Sequence, residues 1–146
     1  MNEEKAIDVL LVEDDPGDVE LTREGLAAGK VLVNLHTVDD GLKALRYLRR
    51  EEPYVNAVRP DIILLDLNLP RMDGSQTLKE IKADERLRSI PVVVLTTSEE
   101  DTDILKSYDQ GASCYISKPV GFDNFMKVVR SLEDFWFTVV KMPPKD

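Results

Sequence analysis

Ile62-Ile63-Leu64-Leu65-Asp66 is four large aliphatic residues in a row, halted by a carboxylate. No polar residue alternates with the apolar ones, so both faces of the strand they predict need covering. That is the situation of a parallel sheet layered between helices. The same grammar recurs on either side of it. Val9-Leu10-Leu11-Val12 ends in Glu13-Asp14-Asp15, Val92-Val93-Val94-Leu95 ends in Thr96, and Tyr115-Ile116-Ser117 ends in Lys118-Pro119. Parallel strands bring all four endings to the carboxyl edge of one sheet, where open α/β proteins place their sites. Acids, a hydroxyl and an amine are therefore expected in one crevice.

Helix-length segments separate these runs. A first helix carrying Val19, Leu21, Leu26 and Ala27 opens at Asp15 or Asp18 and closes at Gly29. Val31 to Val38 alternates only loosely and suits an edge strand. Asp40-Gly41 opens a second helix with Leu42, Leu45 and Leu48 on one face, followed by a long loop from Glu51 to Asp61 containing Pro53 and Pro60. A third helix, Ser75 to Ala83, buries Leu78 and Ile81, and Pro91 restarts the chain as strand. A fourth helix begins at Ser98 with Glu99, Glu100 and Asp101 in its first turn, where acids complement the helix dipole, and ends before Gly111. The last helix runs from about Phe122 through Phe125, Met126, Val129, Leu132 and Trp136. Five β-α units joined by right-handed crossovers make a doubly wound α/β sandwich of three layers, with a five-stranded parallel sheet and five helices.

The 146 residues suit one domain, and 42% hydrophobic content is enough for its core. Lys and Arg number 19 against 28 Asp and Glu, a net charge of -9 that weighs against nucleic acid and anionic membranes as partners. Cys114 is the single cysteine and cannot form an internal disulfide; it reads as a small hydrophobe. With the polar start Met1-Asn2-Glu3-Glu4-Lys5 it points to a reducing cytoplasm. No apolar stretch approaches the roughly 20 residues of a membrane span. His36, the only histidine, leaves no multi-histidine metal site and reads as a surface residue on the edge strand.

Asp66 is the candidate reacting group, because a carboxylate can attack phosphorus to form an acyl phosphate. Glu13 and Asp14 add negative charge beside it, and such a cluster either raises a pKa or holds a cation. Oxygen-only ligands point to Mg²⁺, with Asn68 able to add its backbone carbonyl; Asp15 is the least engaged of the three acids. Thr96 can donate a hydrogen bond to a phosphoryl oxygen, and Lys118 supplies a mobile positive charge for another. Pro119 allows a cis bond that would aim the lysine inward. Singly, these residues have ordinary readings: a helix cap, a solvated acidic helix entrance, a strand threonine, a loop lysine. As a set they point to phosphoryl transfer.

From about Ile7 to Leu132 the chain resembles the receiver domain of two-component response regulators, on the acidic pair Glu13-Asp14, on Asp66, on Thr96 and on Lys118-Pro119. The resemblance implies a flavodoxin-like sheet of order 2-1-3-4-5. It implies that Asp66 accepts a phosphoryl group from a histidine kinase, that Asp14 directly and Glu13 through water help hold Mg²⁺, and that Thr96 and Lys118 hold the phosphoryl group. Tyr115, three residues before the lysine, falls where receivers carry a switch aromatic that turns inward when Thr96 moves. The surface so altered comprises the helix from Ser98, the last strand and the last helix. Asn68 and Ser98 would flank the water of self-dephosphorylation.

A finer likeness is to the small stand-alone regulators paired with bacterial phytochrome kinases. It rests on Tyr54-Val55-Asn56-Ala57-Val58-Arg59-Pro60-Asp61, on Leu64-Leu65-Asp66-Leu67-Asn68-Leu69-Pro70-Arg71 and on Leu132-Glu133-Asp134-Phe135-Trp136. It implies a phytochrome-type sensor kinase as partner and a homodimer. The run Phe135-Trp136-Phe137-Thr138-Val139-Val140 is apolar almost all round, so it either forms an interaction patch or folds back on its own domain before Met142-Pro143-Pro144 ends the helix. The chain reads as one receiver over 1–146, with its core at about 7–132 and an extension at 133–146. Too few residues follow Pro119 for an output domain, so output would pass by protein contact to the kinase, a phosphotransfer domain or a target. Two other functions differ in sequence. A phosphatase of the haloacid-dehalogenase type would carry its nucleophile near the first strand and a second Asp where this chain has Asn68. A phosphorylation-independent adaptor would have lost the acid pair, the acceptor or the lysine.

Overall fold

The computed structural model describes residues 6–29, 32–67, 69–96, 111–112 and 114–138. Five strands, β1 (Ile7–Val12), β2 (Val33–Val38), β3 (Ile62–Asp66), β4 (Val92–Thr96) and β5 (Cys114–Ser117), pair in parallel in the order β2-β1-β3-β4-β5. This is the expected flavodoxin-like arrangement. Four helices lie among the described residues: α1 (Pro16–Ala27), α2 (Gly41–Leu48), α3 (Gly74–Ala83) and α4 (Phe122–Thr138). The helix expected from Ser98 falls outside the described residues.

Alternation along the strands explains the three layers, since successive side chains leave opposite faces of a sheet. Leu10, Val12, Ile63, Leu65, Val92 and Val94 enter one core with Leu45, Leu78 and Ile81 from α2 and α3. Val9, Leu11, Ile62, Leu64, Val93 and Leu95 enter the other with Leu26 of α1 and Phe125 and Val129 of α4. These strand residues are fully buried or nearly so, which is why their runs lack the polar alternation of a half-wet sheet. No helix among the described residues is long and apolar enough to cross a membrane.

Helices α1, α2 and α3 each start on an aspartate at the carboxyl edge. The Asp15 side chain accepts from the amides of Gly17 and Asp18, Asp40 from Lys43 and Asp73 from Gln76, satisfying first-turn N–H groups that have no partner inside the helix. Asp15 is thus the cap of α1, and Asp18 is released for another task. The helix ends just before Gly29 as expected, with Ala28 as its cap, although Gly29 does not adopt the left-handed conformation. A Cβ there would meet the Phe122 ring, so a larger residue would have to displace that ring of α4. His36 is a partly exposed residue of the edge strand, as expected, and its ring sits 3.4 Å from the Asp8 carboxylate and 6.1 Å, centroid to centroid, from Tyr47.

Candidate functional site

Strand register assembles the site before any side chain is considered. Val12 pairs with Leu65 and Asp66 with Leu95, so Glu13, one step past Val12, lies level with Asp66. Thr96 pairs with Ser117, and Lys118 is the next residue along. Four successive strands therefore deliver their last residues to one edge. The Glu13 amide also donates to the Val38 carbonyl at 3.0 Å, extending the β1–β2 ladder to the site.

Lys118 is the hub. Its Nζ lies 2.5 Å from Glu13 Oε1, 2.8 Å from Asp66 Oδ2 and 3.1 Å from Asp18 Oδ2. The lysine, Glu13 and Asp66 side chains are nearly out of solvent, whereas Asp18 is about one-third exposed. Burial works to depress the lysine, but hydrogen bonds to Asp66, Glu13 and Asp18 outweigh it and hold the ammonium charged, above its ordinary range. Glu13 responds in the opposite sense. Burial, with Asp66 adding to it against Lys118, pushes its carboxyl from 4.5 up to about 7. The other Glu13 oxygen, Oε2, accepts the Asp15 amide at 3.2 Å. The Lys118–Pro119 peptide bond is cis, as is Glu52–Pro53.

Glu13, Asp14 and Asp66 each present a carboxylate oxygen within 4.8 Å of the others, Asp14 exposed and the other two buried. Three hard anionic donors suit a hard divalent cation such as Mg²⁺ or Mn²⁺. Octahedral Mg²⁺ spans only about 4.2 Å between opposite ligands, and it keeps several waters with one or two direct carboxylates. The donor set fits such an ion if one carboxylate acts through water. A cavity of about 490 Å³ opens on the β2 side of Glu13 and Asp14, bordered by Pro16, Val19, Asp39 and Lys43.

The loop leaving Asp66 is shaped by Gly74. A Cβ at that position would stand 2.2 Å from the Asp66 carbonyl oxygen and 2.5 Å from the Leu67 Cα, while the Gly74 amide donates to the Leu67 carbonyl at 2.9 Å. Only glycine lets α3 begin this close to the strand end. Of the other sequence candidates, Thr96 ends β4 and its side chain lies outside the described residues, as do Asn68 and Ser98. Tyr115 is 41% exposed on β5. Phe135 and Trp136 belong to α4, with side chains outside the described residues.

Asp18 escaped the sequence reading, which saw only a cap there. The available signal was positional: the first turn of α1 follows directly from the acidic end of β1, so a residue three places past Asp15 stays within reach of the same edge.

The family model for the response regulator receiver domain matches residues 9–130. The response regulator Rcp1 of Synechocystis sp. is 42% identical over 135 residues, covering 92% of each chain. Among solved structures, the phosphorylated cyanobacterial phytochrome response regulator RcpA is similar at a TM-score of 0.76 and 45% identity, covering 96% of this chain and 100% of that one. The Mn²⁺-bound form of the response regulator Rcp1 is similar at a TM-score of 0.73 and 40% identity, covering 94% of this chain and 99% of that one.

Proposed function

Because this chain belongs to the response regulator receiver family and works in two-component phosphorelay signalling, we propose that Asp66 is its phosphoryl acceptor and that a phytochrome-type histidine kinase is the donor. The observation that carries the reading is the bonding of one buried ammonium, Lys118, to Asp66 and Glu13 at the ends of adjacent strands. The protein is a signalling molecule rather than a turnover enzyme. Its transfer and self-dephosphorylation each act on its own side chain.

In the transfer, an Asp66 oxygen attacks phosphorus of the kinase phosphohistidine. An O–P bond forms, the P–N bond breaks, and the imidazole leaves with the electron pair and is then protonated by water. Lys118 holds a phosphoryl oxygen by its charge, and Thr96 donates a hydrogen bond to another. Asp14 and Asp66 directly, Glu13 through water and the Asn68 carbonyl would hold Mg²⁺, which supplies charge neutralisation on the phosphoryl oxygens when bound. Asn68 and Ser98 flank the water that later cleaves the anhydride.

The carboxylate carries one negative charge and its phosphorylated form about two, so Lys118 is drawn toward the new oxygens and its bonds to Glu13 and Asp18 are reweighted. Thr96 and Tyr115 relay the change to the face of β5 and α4. The cytoplasm is the compartment. A single receiver over 1–146 forms a homodimer through the end of α4, with Phe135 and Trp136 at the contact, and signals to a downstream phosphotransfer or target protein.

Incubation with Mg²⁺ and acetyl phosphate, or with the purified kinase, is expected to add one phosphoryl mass to the intact chain. Beryllofluoride should change Trp136 fluorescence in parallel. Asp66→Asn abolishes both responses; an unchanged adduct in that variant would move the acceptor elsewhere. Light scattering on Phe135→Ala with Trp136→Ala should show loss of dimer mass with phosphorylation intact, and a persistent dimer rejects that contact.

A further inference from the structure

Arg71 lies on the loop between Asp66 and α3 with a backbone φ of +62°, a left-handed conformation that costs a non-glycine residue energy. Its Nε donates to Asp40 Oδ2 at 2.7 Å. The arginine side chain is 60% exposed and the aspartate 2%. Asp40 caps α2, its Oδ1 accepting the Lys43 amide at 2.7 Å, so both carboxylate oxygens are committed. Burial opposes the Asp40 charge, but the Lys43 amide and the Arg71 guanidinium outweigh it and hold the carboxyl below its ordinary range. The two elements also meet through their backbones: a Cβ on Gly41 would stand 2.6 Å from the Met72 carbonyl oxygen and 2.1 Å from Thr77 Oγ1.

We propose that the Arg71–Asp40 ion pair is a latch that positions the loop behind Asp66, making Arg71 a positioning residue for phosphoryl uptake. The inference rests on Asp66 being the acceptor. Leu67, Leu69 and Met72 anchor this loop through the core shared with α2 and α3, but apolar contact is non-directional and permits sliding. A charge-assisted hydrogen bond of fixed geometry removes that freedom. At the other end of the loop, Gly74 abuts the Asp66 carbonyl and bonds Leu67, so a shift of the loop is transmitted to the acceptor backbone. The strained φ argues for the side chain: glycine would adopt this backbone more cheaply, yet it could not reach Asp40.

The test compares Arg71→Gly, Arg71→Lys and Asp40→Asn with the parent protein. Asp40→Asn keeps a capping side chain while removing the charge. Amide hydrogen exchange at Gly74, read without metal, should quicken in Arg71→Gly and Asp40→Asn. The maximal rate of phosphoryl uptake from acetyl phosphate with Mg²⁺ should fall about tenfold, as small misplacements of reacting groups do. The half-saturating acetyl phosphate concentration should hold. Arg71→Lys should recover part of both losses, and the double variant Arg71→Gly with Asp40→Asn should be no worse than either single one. Arg71→Gly that only raises the melting temperature, with exchange and rate as in the parent, overturns the latch. A parent that takes up no phosphoryl group overturns the acceptor assignment and the latch with it.

Discussion

The two ends of the sheet handle charge in opposite ways. At the carboxyl end, Glu13, Asp66 and Lys118 are nearly stripped of solvent, and one ammonium serves three carboxylates. At the amino end, Arg49, Arg50, Arg59 and Arg86 border a cavity of about 370 Å³ with Asp84 and Glu51. There the arginines are exposed, and Arg49, Arg50 and Arg59 bond to groups close by. Arg49 pairs with Asp84 at 3.2 Å, and Arg59 donates to the Arg86 carbonyl and to Ser89 Oγ. A well-shaped cavity lined with charge is not thereby a reactive one. Reactivity needs charges whose demands exceed their partners in a dry place, because only there does adding a phosphoryl group or a cation change the balance by much.

The sharpest test of that contrast is Lys118→Met. Removing one member of a buried charge cluster leaves the others uncompensated, at a cost of about 3 kcal/mol, and urea titration should show the loss. It should be larger at pH 8 than at pH 5, where Glu13 is protonated. A loss equal at both pH values would mean that the carboxyl end is no more frustrated than the amino end.

Smaller in effect is the pH dependence of the parent protein without metal. The folded state keeps the Glu13 proton up to about pH 7, whereas the unfolded chain releases it near 4.5. Between those values the folded state binds more protons, so stability falls as pH rises through that window. Asp40 and Asp84, held below their ordinary range, act in the opposite sense and only in more acidic solution. Denaturant midpoints from pH 5 to 8 should therefore decline in the parent, stay flatter in Glu13→Gln, and decline less in saturating magnesium. A flat parental profile would remove the electrostatic basis of the cation site.

At the amino end the expected effect is least. Arg59→Ala removes two exposed hydrogen bonds and should cost about 1 kcal/mol or less, without altering phosphoryl uptake. A loss as large as that of Lys118→Met would mean that the two ends carry comparable structural weight.

The strands and their endings were legible because each is a local event: an uninterrupted apolar run must be covered on both sides, and the residue that stops it must lie at the sheet edge. Asp66 could be picked out for that reason, and so could the helix starts at Asp15 and Asp40, whereas the third helix was expected from Ser75 and in fact starts on Asp73. Asp18 could not, since its partner Lys118 is 100 positions away. Gly29 does mark the end of α1, but the nearness of the Phe122 ring to it could not be read from sequence, because the two are neighbours only once α1 and α4 have docked. His36 does lie partly exposed on the edge strand, but its neighbours Asp8 and Tyr47 could not be read from sequence.

Amino-acid order alone therefore determined the layered α/β architecture, the parallel sheet and which residue types arrive at its carboxyl edge, since hydrophobic runs and caps act over a few residues. Tertiary structure decided which of those groups touch: that Glu13 stands level with Asp66, that Lys118 reaches Asp18, and that Arg71 is tied to Asp40. Those contacts depend on strand register, helix docking and loop path. These are settled by the packing of distant segments against one another, and no short stretch of sequence encodes them.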